Sequence, residues 1–213
     1  MLVGTALLHA ALATSTLAQP PLEVPTRIGE RARVNEVAQL VRAARGGDRA
    51  AFGVLYQRFA RAVHAVVLAR APYRDAADLV QDVFVIALER LRQLDDPAAF
   101  PGWILTIART RSIDHVRRPV PAELAAEPAA AAVPSAEAQQ VLDTIRALPD
   151  AYRETLIMRL VEGMSGPEIA ERTGLAPGSV RVNLHRGMKL LRERLGVGAD
   201  DAPESRAREV EHG

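Results

Sequence analysis

The stretch MSGPEIAERTGLAPGSVRVNLHRGMKLL, residues 164 to 191, constrains the fold more than any other part of the chain. Ser165 followed by Glu168 is a capping box, in which the hydroxyl accepts from an early backbone N–H and the carboxylate reaches back to the cap. Pro167 is tolerated in the first turn, where its missing N–H is not needed. The short helix so opened is expected to stop at Gly174, a residue free to take the left-handed helix-ending conformation. Gly178 eases the next turn, and Ser179 is expected to cap a second helix. Along that helix Val180, Leu184, Gly187, Leu191 and Leu195 recur at helical spacing. Val182, His185, Lys189 and Arg192 share another face, flanked by Arg181 and Arg186.

The spacing Ala170, Gly174, Val180 is that of a helix-turn-helix: a small residue lets two helices cross closely, Gly turns the corner, and an apolar residue pins the second helix. Six Arg or Lys stand against three Glu between Ser165 and Leu195, while the chain of 213 residues carries a net charge of only +1. The basic character is therefore local, and the second helix suits a major groove and its phosphates. An ordinary helical hairpin with a solvated charged face is the bland alternative.

The rest of the chain reads as helical too. Aromatic residues make up 4% of it and Ala is abundant, a composition that favours helices over strands. Two blocks carry helical periodicity, residues 34–118 and 141–196. The joining segment, 119–140, holds four prolines and three glutamates and no hydrophobic period, which reads as a semi-extended acidic linker. Residues 197–213 lack an apolar stripe and read as a disordered tail. Residues 1–33 form an apolar and then Pro-rich extension. Its first eighteen residues lack the basic start of an export signal and are broken by His9 and several hydroxyl side chains, so no membrane insertion is expected.

Within the first block, a helix over 76–94 buries Leu79, Val80, Val83, Phe84, Ala87 and Leu91, leaving Asp78, Gln81, Asp82 and Glu89 outside. Pro101-Gly102 is expected to break the chain before a further helix from Trp103 to Arg117. That helix carries Arg109, Arg111 and Arg117, with Arg118 just beyond, against a single Asp114. Alone, the acidic face is a solvated surface and Trp103 a core anchor. The chain has no cysteine, its five histidines show no metal-ligand spacing, and no glycine loop for phosphate is present. Neither an enzyme nor a cofactor or metal is expected.

Together these pieces resemble a bacterial RNA polymerase sigma factor of the ECF (extracytoplasmic function) group. GDRAAFGVLYQRF (47–59), DLVQDVFVIALERL (78–91) and FPGWILTIARTRSIDHVRR (100–118) resemble region 2 of that family, and residues 148–195 resemble region 4. The resemblance implies an all-α protein of two small helical domains, a region 2 bundle and a region 4 helix-turn-helix. It implies core RNA polymerase and promoter DNA as partners, no small-molecule substrate, and a cytoplasmic site of action. Asp78, Leu79, Gln81, Asp82 and Phe84 would then dock on the polymerase or shape the docking face. Asp95, Phe100, Trp103, Arg109, Arg111, Arg117 and Arg118 would capture and melt the −10 element, where a base leaves the stack into a pocket without nucleotide hydrolysis. Ser179, Arg181, His185, Arg186 and Lys189 would read the −35 element. Anti-sigma partners are common in the family, and no residue here identifies one.

The chain departs from the family at Arg181-Val182-Asn183, where Lys-Ser-Arg is common, at Gly166-Pro167, at Gly187 and in its apolar N-terminus. A stand-alone helix-turn-helix regulator remains the alternative. It would bind its operator without polymerase.

Overall fold

A computed structural model of the chain describes residues 27–117 and 135–197. The remainder of the extension, Arg118, most of the linker and nearly all of the tail lie outside the described residues. Eight α-helices and no strand occur among the described residues.

Helix α1, Arg27–Arg45, runs into a turn where Gly47 adopts φ +97°. It begins seven residues before Val34, where helical patterning was expected to start. Val37, Val41 and Ala44 face inward at helical spacing. Asp48 then opens α2, Arg49–Leu68, accepting from Ala50 N at 2.9 Å and Ala51 N at 3.0 Å. Its first half buries one stripe, Ala51, Leu55, Phe59 and Ala62. In its second half Ala65, Val66, Val67 and Leu68 are all buried, because helices pack on it from several sides.

Helix α3, Ala76–Arg90, buries Leu79, Val80, Val83, Phe84 and Ala87 as read from the sequence, and Leu91, the last of that set, is buried just beyond its end. It ends four residues early: the chain tightens into a 3₁₀ turn at Leu91–Gln93, and Leu94 is extended. Another 3₁₀ turn, Pro97–Ala99, is capped by Asp96. It leads straight into α4, Phe100–Arg117. Pro101 and Gly102 therefore do not break the chain before Trp103. They occupy the first turn of α4, where a helix tolerates proline because that N–H has no partner to lose.

The second block opens with α5, Ala136–Arg146, capped by Ser135, and α6, Asp150–Leu160. Helix α7, Gly166–Thr173, has both halves of its capping box and ends at Gly174 with φ +72°, as the sequence predicts. Helix α8, Pro177–Leu195, does not start as expected. Ala176 stands at the cap position with no side-chain bond, Pro177 opens the helix, and Ser179 lies exposed in the first turn, capping nothing. Proline's fixed φ pre-organises that start without a hydroxyl. The Ser165 hydroxyl accepts from Glu168 N in that box, so Ser165→Ala is expected to lower stability by about 1 kcal/mol in urea denaturation.

The inward stripe of α8 is Val180, Gly187 and Leu191, with Leu184 and Leu195 at its margins. It packs on α6. A Cβ added at Gly187 would stand 3.0 Å from Tyr152 Cβ and 3.0 Å from Leu156 Cδ1. The glycine is what lets the two helices approach.

The blocks are not separate bodies. Helix α6 packs on α2, and α7 packs on α2 and α4. One continuous apolar core runs from Leu55, Phe59 and Phe100 in the first block to Ile145, Leu156 and Ile169 in the second.

Candidate nucleic-acid interface

Three surfaces hold the residues singled out from the sequence. The first is the outer face of α3. Asp78 and Gln81 are exposed and Asp82 half-buried. Leu79 and Phe84 are buried, so they build this face from beneath rather than touch a partner on it. Phe84 packs against Tyr56, ring centroids 4.5 Å apart, and Phe52, 6.4 Å apart. The face also exposes Val85 and Leu88, which the sequence reading did not select. Their signal was available: the buried positions 79, 80, 83, 84 and 87 leave 85 and 88 on the far side of the helix.

The second surface is α4 and the turn before it. Asp95 and Arg117 are exposed and Trp103 is half-buried. Phe100 is fully buried, its ring 5.2 Å from Phe59 and 5.9 Å from Trp103. In this arrangement it anchors the core and cannot touch a base. Arg111 donates to Asp82 Oδ2 from Nε at 3.1 Å and from Nη2 at 2.6 Å, tying the second surface to the first. His115 Nε2 lies 3.0 Å from Asp75 on the turn before α3, not paired with its neighbour Asp114.

Arg109 faces the second block. Its Nε donates to Glu154 Oε1 at 2.8 Å and its Nη2 to Glu154 Oε2 at 2.7 Å. That bidentate hydrogen bond, against the opposing effect of burial, raises the Arg109 pKa above its ordinary value. Arg70, at the end of α2, adds a second cation at 2.8 Å from Glu154 Oε1.

More ion pairs cross the same junction. Arg58 on α2 donates to Glu171 on α7 and lies 2.9 Å from Glu36. Arg172 donates to the Arg58 carbonyl at 2.6 Å and stacks over the Phe59 ring, 5.6 Å from its centroid. His64 Nδ1 lies 2.6 Å from Glu162. Arg146 donates to the carbonyl of Leu68, the last residue of α2, at 2.9 Å and to that of Ala71, just beyond it, at 2.8 Å. Sequence reasoning selected none of these partners, because they lie far apart along the chain.

The third surface is the outward side of α8, where Ser179, Arg181, His185, Arg186 and Lys189 are all exposed. Lys189 lies 4.0 Å from Glu193, a loose surface pair. The inward stripe fixes the rotation of the helix, and the basic side chains are what it presents outward.

Two carboxylates of α7 give the fold an acid limb. The backbone N–H and hydroxyl of Ser165 hold Glu168 below its ordinary pKa of 4.5. Burial pushes Glu171 up, but Arg58 and Arg172 outweigh it and hold that group low as well. A carboxylate with a depressed folded pKa contributes stability that is present above its unfolded value and lost as pH falls through the folded one. Urea midpoints are thus expected to drop below about pH 4.5, and Glu171→Gln should flatten that limb.

The family model described as Sigma-70 region 2 matches residues 55–119, and that described as Sigma-70, region 4 matches residues 138–191. The chain is 32% identical over 163 residues to the RNA polymerase sigma factor CarQ of Myxococcus xanthus, a match covering 71% of this chain and 93% of CarQ. It is 27% identical over 141 residues to the ECF RNA polymerase sigma factor SigW of Bacillus subtilis, covering 57% of this chain and 75% of SigW. Among solved structures, that of CnrH in complex with the cytosolic domain of CnrY superposes with a TM-score of 0.52 at 28% identity, covering 77% of this chain and 99% of CnrH. Helix α7 and all but the last turn of α8 fall inside the region 4 match, and α3 and α4 fall inside the region 2 match. The chain belongs to the sigma-70 family and is an RNA polymerase sigma factor of the ECF type.

Proposed function

We propose that this chain binds core RNA polymerase in the cytoplasm and directs initiation at promoters carrying its own −35 and −10 elements, without catalysing a reaction itself. The observation that carries the reading is α8. Its apolar stripe is fixed against α6 by Val180, Gly187 and Leu191, and Arg181, His185, Arg186 and Lys189 project outward together. A helix held in one rotation with basic side chains outward is what a major groove accepts. Region 2 supplies the other surfaces. Asp78, Gln81 and Asp82, with Val85 and Leu88, form a mixed acidic and apolar face on α3 that fits a basic helical partner on the polymerase. Asp95, Trp103, Arg109, Arg111, Arg117 and Arg118 serve the melted −10 strand, stacking bases and pairing phosphates. Phe100 supports them from within. CnrH is solved in complex with the cytosolic domain of CnrY, and by that likeness a protein partner of this chain belongs to this reading.

Transcription from linear genomic fragments with purified core polymerase, with and without the chain, tests it. Specific transcripts are expected only when the chain is added, and their start sites give the −35 and −10 sequences. If core gains no start sites while the chain alone retards duplex DNA, it is a stand-alone regulator. Arg186→Ala is expected to weaken holoenzyme binding about equally at all its promoters, because we assign Arg186 to a phosphate. Losing one phosphate contact also lowers the slope of log K against log salt by about 0.9.

A further inference from the structure

All the large apolar side chains of α8 are seated except one. Val180 and Leu191 are buried, and Leu184, Met188, Leu190 and Leu195 pack against the core. Val182 is 44% exposed and takes no part in that packing. Folding gives no account of it, since an exposed β-branched side chain inside a helix adds no packing and slightly lowers helix propensity. A lone exposed valine on an ordinary surface would need no account. This one stands on the face assigned to DNA. At about 100° per residue, position 182 lies roughly 200° round the helix from Val180, almost opposite the inward stripe. It falls in the second turn of α8, in the N-terminal part that a helix-turn-helix sets against base edges. Arg181 and Arg186 are exposed to either side of it, and His185 is exposed one turn on.

We propose that Val182 reads the C5-methyl group of a thymine in the −35 element and so sets the base preference at that position. Valine has neither a donor nor an acceptor in its side chain. On the major-groove edge guanine presents acceptors, cytosine an amino donor, and adenine one of each, while thymine alone presents a methyl group. An isopropyl group pressed on any other edge displaces water from a polar group and returns no hydrogen bond. Pressed on a thymine methyl, it removes two apolar surfaces from water together. Arg181 and Arg186, on phosphates to either side, bring the outward pole of the helix to the floor of the groove. They supply affinity for any sequence, and Val182 supplies a choice among sequences.

The inference rests on the sigma reading, and its test separates the two. The probe is a promoter duplex bearing the −35 element mapped from the transcripts, made with thymine throughout or with deoxyuridine at each −35 thymine in turn. Uracil pairs as thymine does and lacks only the methyl group. Wild-type holoenzyme should bind one uracil-bearing duplex about fourfold more weakly than the thymine duplex, the scale of one buried methyl group. Val182→Ala holoenzyme should bind those two duplexes equally, and Val182→Ile should keep the difference. Because Val182 lies outside the core, Val182→Ala should unfold at the urea concentration of the wild type, so its indifference is not a failure to fold. His185→Ala, whatever its overall affinity, should keep the difference between the duplexes.

Three results overturn the assignment. Wild-type holoenzyme indifferent to every uracil means that no methyl is read. Val182→Ala that keeps the loss means that the methyl acts through DNA shape or another side chain. A −35 element without an A·T pair leaves Val182 no methyl to touch. If the thymine promoter gives no transcript with wild-type chain and core polymerase, the sigma reading itself fails and takes this inference with it.

Discussion

Phe59→Ala is expected to lower the stability of the whole chain by about 3–5 kcal/mol, the range for emptying a buried aromatic site. Phe59 has no exposed surface, and its ring sits edge-on to Phe100 at 5.2 Å. Its other side lies under the Arg172 guanidinium of region 4, at 5.6 Å. Truncation therefore removes contacts within region 2 and the apolar platform on which α7 rests. Against the 5–15 kcal/mol typical of a whole domain, the loss is large. It corresponds to a fall in melting temperature on the order of 10 °C for a chain of this size. Trp103, the only tryptophan, lies against Phe100 and reports on this neighbourhood by its fluorescence. In a thermal scan the wild type should lose Trp103 packing and total helix together. The variant should lose Trp103 packing at a markedly lower temperature. A shift of under 2 °C would mean that the two regions do not share the core described here.

What could be read from the sequence was what is local. The capping box of α7, its stop at Gly174 and the inward stripe of α8 are fixed by residues within four positions of one another, and each stands where it was expected. The start of α8 was misread because Ser179 and Pro177 both qualify as helix openers, and proline, two residues earlier, won. Pro101-Gly102 was misread in the opposite sense, since a pair that breaks a helix interior is harmless in a first turn. Site residues were legible as residue types and less so as exposures. Leu79, Phe84 and Phe100 are buried supports, while Val85 and Leu88 stand outside. The junction left no local trace. Arg109 and Glu154 are 45 positions apart and Arg58 and Glu171 are 113 apart, and no periodicity links residues on different helices. A linker rich in proline and alanine suggested two independent bodies, and only tertiary packing shows them sharing a core.

Arg109 and Arg111 show how one residue type serves opposite ends within a single helix turn. Arg111 is held by Asp82 of its own region, so that pair travels with region 2 whatever region 4 does. Arg109 is held by region 4, so its freedom depends on the junction. Neutralising Asp82 should therefore alter the side of region 2 proposed to dock on the polymerase and leave the junction intact, whereas neutralising Glu154 acts on the junction itself.

The helix-turn-helix depends on a different contact, and Gly187→Leu is expected to break it. The Cβ of any residue at 187 would already lie 3.0 Å from Tyr152 Cβ and Leu156 Cδ1. Tyr152 Cβ is fixed to the α6 backbone and cannot swing aside. Alanine there sets a helix-propensity gain of about 1 kcal/mol against that tight contact. Leucine adds three further carbons with no space to enter, an overpacking expected to cost about 3 kcal/mol. The strain is relieved by α8 moving off α6, which turns Val180 and Leu191 out of their seats and the basic face of Arg181, Arg186 and Lys189 away from its fixed orientation. Region 2 makes little use of this contact, so the variant should still associate with core polymerase through the α3 face proposed to dock on it. It should lose −35-dependent initiation at least tenfold while keeping any activity that rests on the −10 element alone. The check is a pair of promoters matched except for a scrambled −35 element, transcribed by holoenzyme carrying either protein. If Gly187→Leu distinguishes the two promoters as well as the wild type does, the approach of α8 to α6 is not what aims the reading helix.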